Sequence, residues 1–172
     1  MLKIVIIDRL IWKWLLNANG IEYGDTEEEI EAIFNVYKRK IKEGITAGHW
    51  EWTILKNVNE LLTRCSKEDD LILALLTGNM IETAEVKLSN AGVIFDVFKM
   101  NYDGGNKLVG AFGSDNMDRP TIVKLAMNRF NEIFNTVIPK ENFLIIGDTP
   151  KDVLCGHKNG IAAVGVATGI YR

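Results

Sequence analysis

Short apolar runs alternate with helical patterns along this chain, and most of the runs end at glycine or at small polar residues. They predict strands at residues 3–7, 71–76, 93–98, 143–146 and 162–166. A continuous apolar run, without the alternation of a half-exposed sheet, marks a strand buried on both faces. The intervening stretches carry helix signals. Asn79 is placed to cap a helix with Glu82 at the capping-box position, and Ile81, Ala84, Leu88 and Ala91 share a face that Gly92 ends. Asp118 and Pro120 open another, whose inner face is Ile122, Ala126, Phe130 and Ile133. This alternation predicts an α/β fold with a parallel sheet covered on both faces.

Residues 9–52 break the alternation, because no strand pattern interrupts them. Thr26 and Glu29 form a capping box, and Ile30, Ile33, Phe34, Tyr37 and Ile41 follow at helical spacing. The segment is expected to be a small helical insertion between the first and second strands. Two tryptophan pairs, Trp12 with Trp14 and Trp50 with Trp52, flank it. They are expected to pack the insertion against the sheet domain, with an aromatic binding rim as the alternative.

Composition narrows the function classes. In 172 residues, 47% are apolar and 25% charged, enough for a real core in one domain with an insertion. The net charge of -3 gives no sign of a nucleic-acid surface. No apolar run reaches the length of a membrane span, and the opening MLKIVIID is too short for a signal peptide. Cys65 and Cys155 lack metal-ligand spacing and read as reduced structural cysteines of a cytoplasmic protein. Two histidines are too few for a histidine-based metal site, and no G-x-S-x-G elbow, P-loop lysine or dinucleotide glycine fingerprint is present. The run Asn101 to Asn106 reads as a flexible loop.

Two turns carry candidate chemistry. At FLIIGDTPKD an apolar strand stops at Gly147-Asp148, Thr149-Pro150 starts a helix, and Asp152 follows. Two acids thus sit at the carboxyl edge of a buried strand, where open α/β sheets bind ligands. At LILALLTGN a second strand ends in Thr77, Gly78 and Asn79, so a hydroxyl and helix-start N–H groups are placed to take a phosphate oxygen. Either turn alone is common; together they supply an anion cradle and carboxylates for a divalent cation.

Four segments in order, LLTGNMIETAEVKLSNAG, GAFGSDNMDRPTIVKLA, IIGDTPKDVLCGHKNG and VGVATG, resemble the haloacid-dehalogenase-like (HAD-like) hydrolase superfamily, most closely its phosphoglycolate-phosphatase-like branch. The resemblance implies a doubly wound Rossmann-like parallel sheet, with residues 1–8 and 53–172 as core and 9–52 as a reduced helical cap. It implies a Mg²⁺-dependent phosphohydrolase of a small phosphorylated metabolite working through an aspartyl-phosphate. Asp8 matches the nucleophile and a metal ligand, Asp148 and Asp152 match the other metal acids, and Thr77 matches the phosphate-binding hydroxyl within Thr77-Gly78-Asn79. Arg119 matches the basic residue that holds nucleophile and phosphate, with Lys124 as the alternative. The helical segment with its tryptophans is the surface expected for pairing with a second copy.

The amino terminus departs from that family. Its D-x-D-G-T pattern would give a second Asp where this chain has Leu10, which cannot move a proton. DRLIWKWLLNANGIE resembles a later cap segment, as though the loop and first cap helices were removed with the junction near Asp8. Asp8 is thus either the nucleophile or a cap residue brought next to the strand. Loss of general acid–base help removes typically ~10²–10⁴-fold in rate, which leaves either a slow enzyme or a silent relative that binds metal, phosphate or a protein.

Overall fold

The computed structural model describes residues 8–22 and 26–168; the strand expected at residues 3–7 lies outside them. The chain starts with two helices, α1 (Asp8–Ala18) and α2 (Glu27–Thr46). Thr26 caps α2, its hydroxyl oxygen accepting from the Glu29 N–H at 3.3 Å and its proton going to the Glu29 carboxylate at 2.6 Å. The apolar stripe behaves as its spacing requires: Phe34 and Ile41 are buried. Trp12 of α1 meets Tyr37 of α2 edge-on at 5.3 Å, while Trp50 packs on Trp52 and across Gly44. Trp14 is 69% exposed and packs nothing into a core, so it does not pin the segment to the sheet as expected; the ring contacts of Trp12, Trp50 and Trp52 are made within residues 9–52.

After α3 (Val58–Cys65), β1 (Leu75–Thr77) leads to α4 (Ile81–Asn90). The strand is shorter and later than the run 71–76 suggests, because Leu71 and Ile72 are exposed and only the end of the run finds a partner. Residues 95–98 form a 3₁₀ turn that buries Phe95 and Phe98, where a strand was expected at 93–98. The apolar content there serves packing rather than pairing. The expected loop at 101–106 is instead a hairpin of β2 (Lys99–Tyr102) and β3 (Gly105–Leu108). Asp103 and Gly104 both take positive φ, 48° and 74°, as the tight Asp-Gly hairpin turn demands.

β4 (Gly110–Phe112) pairs in parallel with β1, α5 (Arg119–Ile133) follows, and β5 (Leu144–Gly147), α6 (Pro150–Asn159) and β6 (Ala162–Gly165) make a βαβ unit with β5 and β6 parallel. Both α5 and α6 start as their sequences predict. Asp118 accepts from the Thr121 N–H at 3.0 Å and Thr149 from the Asp152 N–H at 3.4 Å, with proline in each first turn. Burial ties the two parallel pairs together through α5. Val123 packs with Ile145, Cys155 and Ile161, Ile122 packs with Ala111, and Leu76 touches both groups. This is a mixed α/β, Rossmann-like arrangement. On β5 and β6 the other face is open: Leu144, Ile146 and Val164 alternate with inward residues and are about half exposed. The expectation of a sheet covered on both faces therefore fails at this pair.

No helix among the described residues is long and apolar enough to cross a membrane. Both cysteines are free, Cys155 buried and Cys65 partly exposed, and burial pushes the Cys155 thiol above its ordinary value. A thiol reagent applied to the native protein at neutral pH is expected to label Cys65 first and Cys155 only once denaturant is added. Equal labelling rates in native buffer would contradict the packing of Cys155, on α6, against Val123 of α5 and Ile145 of β5.

Candidate functional site

Both candidate turns form where a parallel strand runs out. At the end of β1, the Thr77 hydroxyl oxygen accepts two hydrogen bonds, from the Asn79 N–H at 3.1 Å and from Asn79 Nδ2 at 2.9 Å. Asn79 was expected to cap the following helix. Met80 occupies the cap position instead, with no capping hydrogen bond from its side chain, because the Asn79 amide is turned back onto Thr77. Asn79 Oδ1 in turn accepts from Lys87 Nζ at 2.6 Å, and Lys87 reaches the Tyr37 hydroxyl of α2 at 3.1 Å. Gly78, between the two, is buried.

The turn is braced from β4. The Gly113 N–H donates to the Asn79 carbonyl at 2.8 Å, and Asp115 Oδ2 accepts from the Phe112 N–H at 2.7 Å. Arg129 of α5 grips Asp115 with both guanidinium nitrogens, at 2.8 and 2.7 Å, and also donates to the Gly110 carbonyl at 2.9 Å. The Asp115 carboxylate raises the Arg129 pKa above its usual value, mainly through that side-chain hydrogen bond. A two-pronged guanidinium–carboxylate contact fixes direction as well as distance. The loop leading from β4 to Arg119 is thereby held in one shape.

At the end of β5, Asp148 is exposed and Asp152 is engaged on both oxygens. Oδ1 takes Arg119 Nη1 at 2.9 Å, and Oδ2 takes the Thr149 N–H at 3.1 Å and the Thr149 hydroxyl at 2.7 Å. Asp152 and Thr149 thus complete a reciprocal capping box while Asp152 holds the guanidinium. Both side chains of the ion pair are about 15% exposed, so water screens it only partly. Gly147 permits this closeness: a Cβ there would collide with the Asp152 side chain, with Cγ 2.6 Å away.

The structure brings Arg119 to Asp152 and gathers Asn79 and Lys87 around Thr77; Lys124, five residues after Arg119, is exposed. Asp8 opens α1, and its side chain lies outside the described part. Among the described residues no group of three or more histidine, cysteine, aspartate or glutamate side chains gathers to hold a metal. Asp148 and Asp152 nonetheless offer oxygen donors of the kind that hard divalent cations take. Of the two, Asp148 is open for direct contact, whereas the oxygens of Asp152 already serve Arg119 and Thr149. A shallow groove along α2, lined by Lys38, Arg39 and Lys42 among others, contains none of these residues.

Residues 119–172, from Arg119 through both acids of the second turn, match the HAD-hydrolase-like family model. A crystal structure of a hydrolase from Pseudomonas syringae has the same overall fold: TM-score 0.59 at 20% identity, covering 99% of this chain and 68% of that one. Residues 119–172 are thus similar to HAD-like hydrolases. No curated protein matches the chain. In this fold the expected residues Thr77, Arg119, Asp148 and Asp152 fall at strand ends or helix starts, where their sequence context predicts. Tyr37, Lys87, Asp115 and Arg129 were not foreseen as part of it. Their partners lie 8 to 50 positions away, and no local spacing announces such contacts.

Proposed function

We propose that this chain is a magnesium-dependent phosphohydrolase for a small phosphorylated metabolite, slowed by Leu10, with residues 9–52 as a reduced cap over the core. The observation that carries the reading is the Arg119 guanidinium clamped by Asp152 in the first turn of α6, the helix that follows the exposed Asp148 at the end of β5. A fixed cation and an open acid, both at the start of one helix, suit phosphoryl transfer, since positioning and charge neutralisation account for most of its catalysis. Asp148, with Asp8, would hold Mg²⁺, which when bound neutralises charge on the phosphoryl oxygens.

The protein's own groups do the rest. The Asp8 carboxylate attacks phosphorus and forms an aspartyl-phosphate as the leaving alkoxide departs; water then attacks this intermediate, returning the carboxylate and releasing phosphate. Arg119 binds the transferring oxygens, its orientation set by Asp152. Thr77 donates its hydroxyl proton to another of them. The alkoxide takes its proton from solvent, because Leu10 has none to give. Arg119, rather than exposed Lys124, is the basic residue in this scheme, and the partly exposed tryptophans of residues 9–52 offer the surface for a second copy.

The test is hydrolysis of an aryl phosphate by the full chain. Slow turnover that needs Mg²⁺, stops with chelator and is absent from Asp8→Asn and Asp148→Asn is expected; activity indifferent to all three would remove the proposal. Leu10 favours one other reading, a non-catalytic relative that keeps ligand binding. It predicts a rise in melting temperature with Mg²⁺ plus orthovanadate and no turnover.

A further inference from the structure

Thr77 Oγ1 has two lone pairs, and both are used by donors from Asn79, its N–H and its Nδ2. The hydroxyl proton is then the one hydrogen-bonding function left to Thr77, and it must point away from Asn79. This polarity holds only while the Asn79 amide presents Nδ2, not Oδ1, to Thr77. A flipped amide would set an acceptor against the hydroxyl, which would turn its proton inward. Lys87 blocks the flip. Its ammonium has only donors, so the atom 2.6 Å away on Asn79 must be the carbonyl oxygen.

Lys87 is held in turn by α2. Its Nζ lies 3.1 Å from the Tyr37 hydroxyl and 5.3 Å from the centre of the Tyr37 ring, a combined hydrogen bond and cation–π contact. Trp12 closes on the same ring from α1, one helical turn after Asp8. A continuous line of contacts therefore runs from the helix that Asp8 opens, through Trp12, Tyr37, Lys87 and Asn79, to the hydroxyl at the end of β1. We propose that Lys87 is a positioning residue: it locks the Asn79 amide so that Thr77 is a dedicated donor to a phosphoryl oxygen, and it makes that donor depend on the seating of Tyr37. This inference rests on the phosphate-binding reading of Thr77.

The experiment is calorimetric titration of the full chain with inorganic phosphate in the presence of Mg²⁺, alongside thermal melting. Lys87→Met is expected to weaken phosphate binding roughly tenfold, the usual worth of one directed hydrogen bond to a charged group. Lys87→Arg, which keeps a cationic donor, should retain most of the affinity. Asn79→Asp tests the polarity without touching Lys87. Its carboxylate accepts from Lys87 but cannot donate to Thr77, so phosphate affinity should fall at least as far. Tyr37→Phe keeps the ring and should give a smaller loss. A Lys87→Met protein that melts lower yet binds phosphate like the parent overturns the proposal, and so does an Asn79→Asp protein with full affinity. If Lys87→Met does not fold, Asn79→Asp and Tyr37→Phe decide by the same readout. Thr77→Val separates the two levels: unchanged phosphate binding there overturns the phosphate site itself, whereas loss there with none in Lys87→Met and Asn79→Asp overturns only the role of Lys87.

Discussion

Gly110→Ala is expected to destabilise the protein by about 3 kcal/mol or more, measured as a shift of the urea midpoint with unchanged slope. Two effects add at this position. Gly110 has φ 142°, a backbone region essentially closed to other residues. An added Cβ would also fall on the Leu75 carbonyl oxygen, with the Leu75 carbon and nitrogen 2.8 and 2.9 Å away. Leu75 is the residue paired with Gly110 across β1 and β4, so the strain cannot relax without parting the strands. The Gly110 carbonyl, the Arg129 acceptor, would move with them. A variant within about 0.5 kcal/mol of the parent, the range of ordinary surface substitutions, would show that the strand pair tolerates the side chain.

Asp152→Ala should lose about 3 kcal/mol and most of any turnover. The helix cap on α6 accounts for about 1 kcal/mol of this, and the larger share comes from leaving the Arg119 guanidinium mostly buried without its partner. The composition of the loss is testable. Asp152→Asn keeps an oxygen for the Thr149 N–H and should recover the cap portion. Adding Arg119→Met to Asp152→Ala should restore part of the stability, since it removes the orphaned charge, but none of the turnover. Additive effects of Arg119→Met and Asp152→Ala in a double-mutant cycle would mean the pair is not coupled.

Where the sequence was legible, local chemistry decided the structure. Thr149-Pro150, Asp118 with Pro120 and Thr26 with Glu29 start helices because capping depends on residues three apart. The apolar runs at 143–146 and 162–166 correspond to β5 and β6 within a residue, since each run is just long enough for one strand. The misreadings arose where apolar content and pairing part company. Residues 93–98 are apolar to fill space around Phe95 and Phe98, whereas the strand lies in the polar KMNY that follows, fixed by the Asp-Gly turn. Asn79 looks like a helix cap by position, yet Lys87 and Thr77 outcompete the helix for its amide. Thr77, Asp148 and Asp152 stand out in the sequence because each lies at or just after the end of an apolar run; the contacts that brace the turn at Thr77, Arg129 on Asp115 and Lys87 on Asn79, form only through the fold.

The placement of α5 also bears on how the chain acquires its structure. β5, α6 and β6 are contiguous, and α5 directly precedes them, so the core of Val123, Ile145, Cys155 and Ile161 closes short loops. Pairing β1 with β4 closes a loop roughly twice as long as that between β5 and β6, a difference of only about 0.6 kcal/mol in closure entropy. The greater handicap is that β1 and β4 are three-residue strands, one of them starting at a strained glycine. Folding is therefore expected to begin in residues 119–165 and end with the seating of β1. Hydrogen exchange should find the slowest amides in β5 and α6 and the faster ones around Thr77. The turn at Thr77 would then be the last part of the fold to form and the first to open.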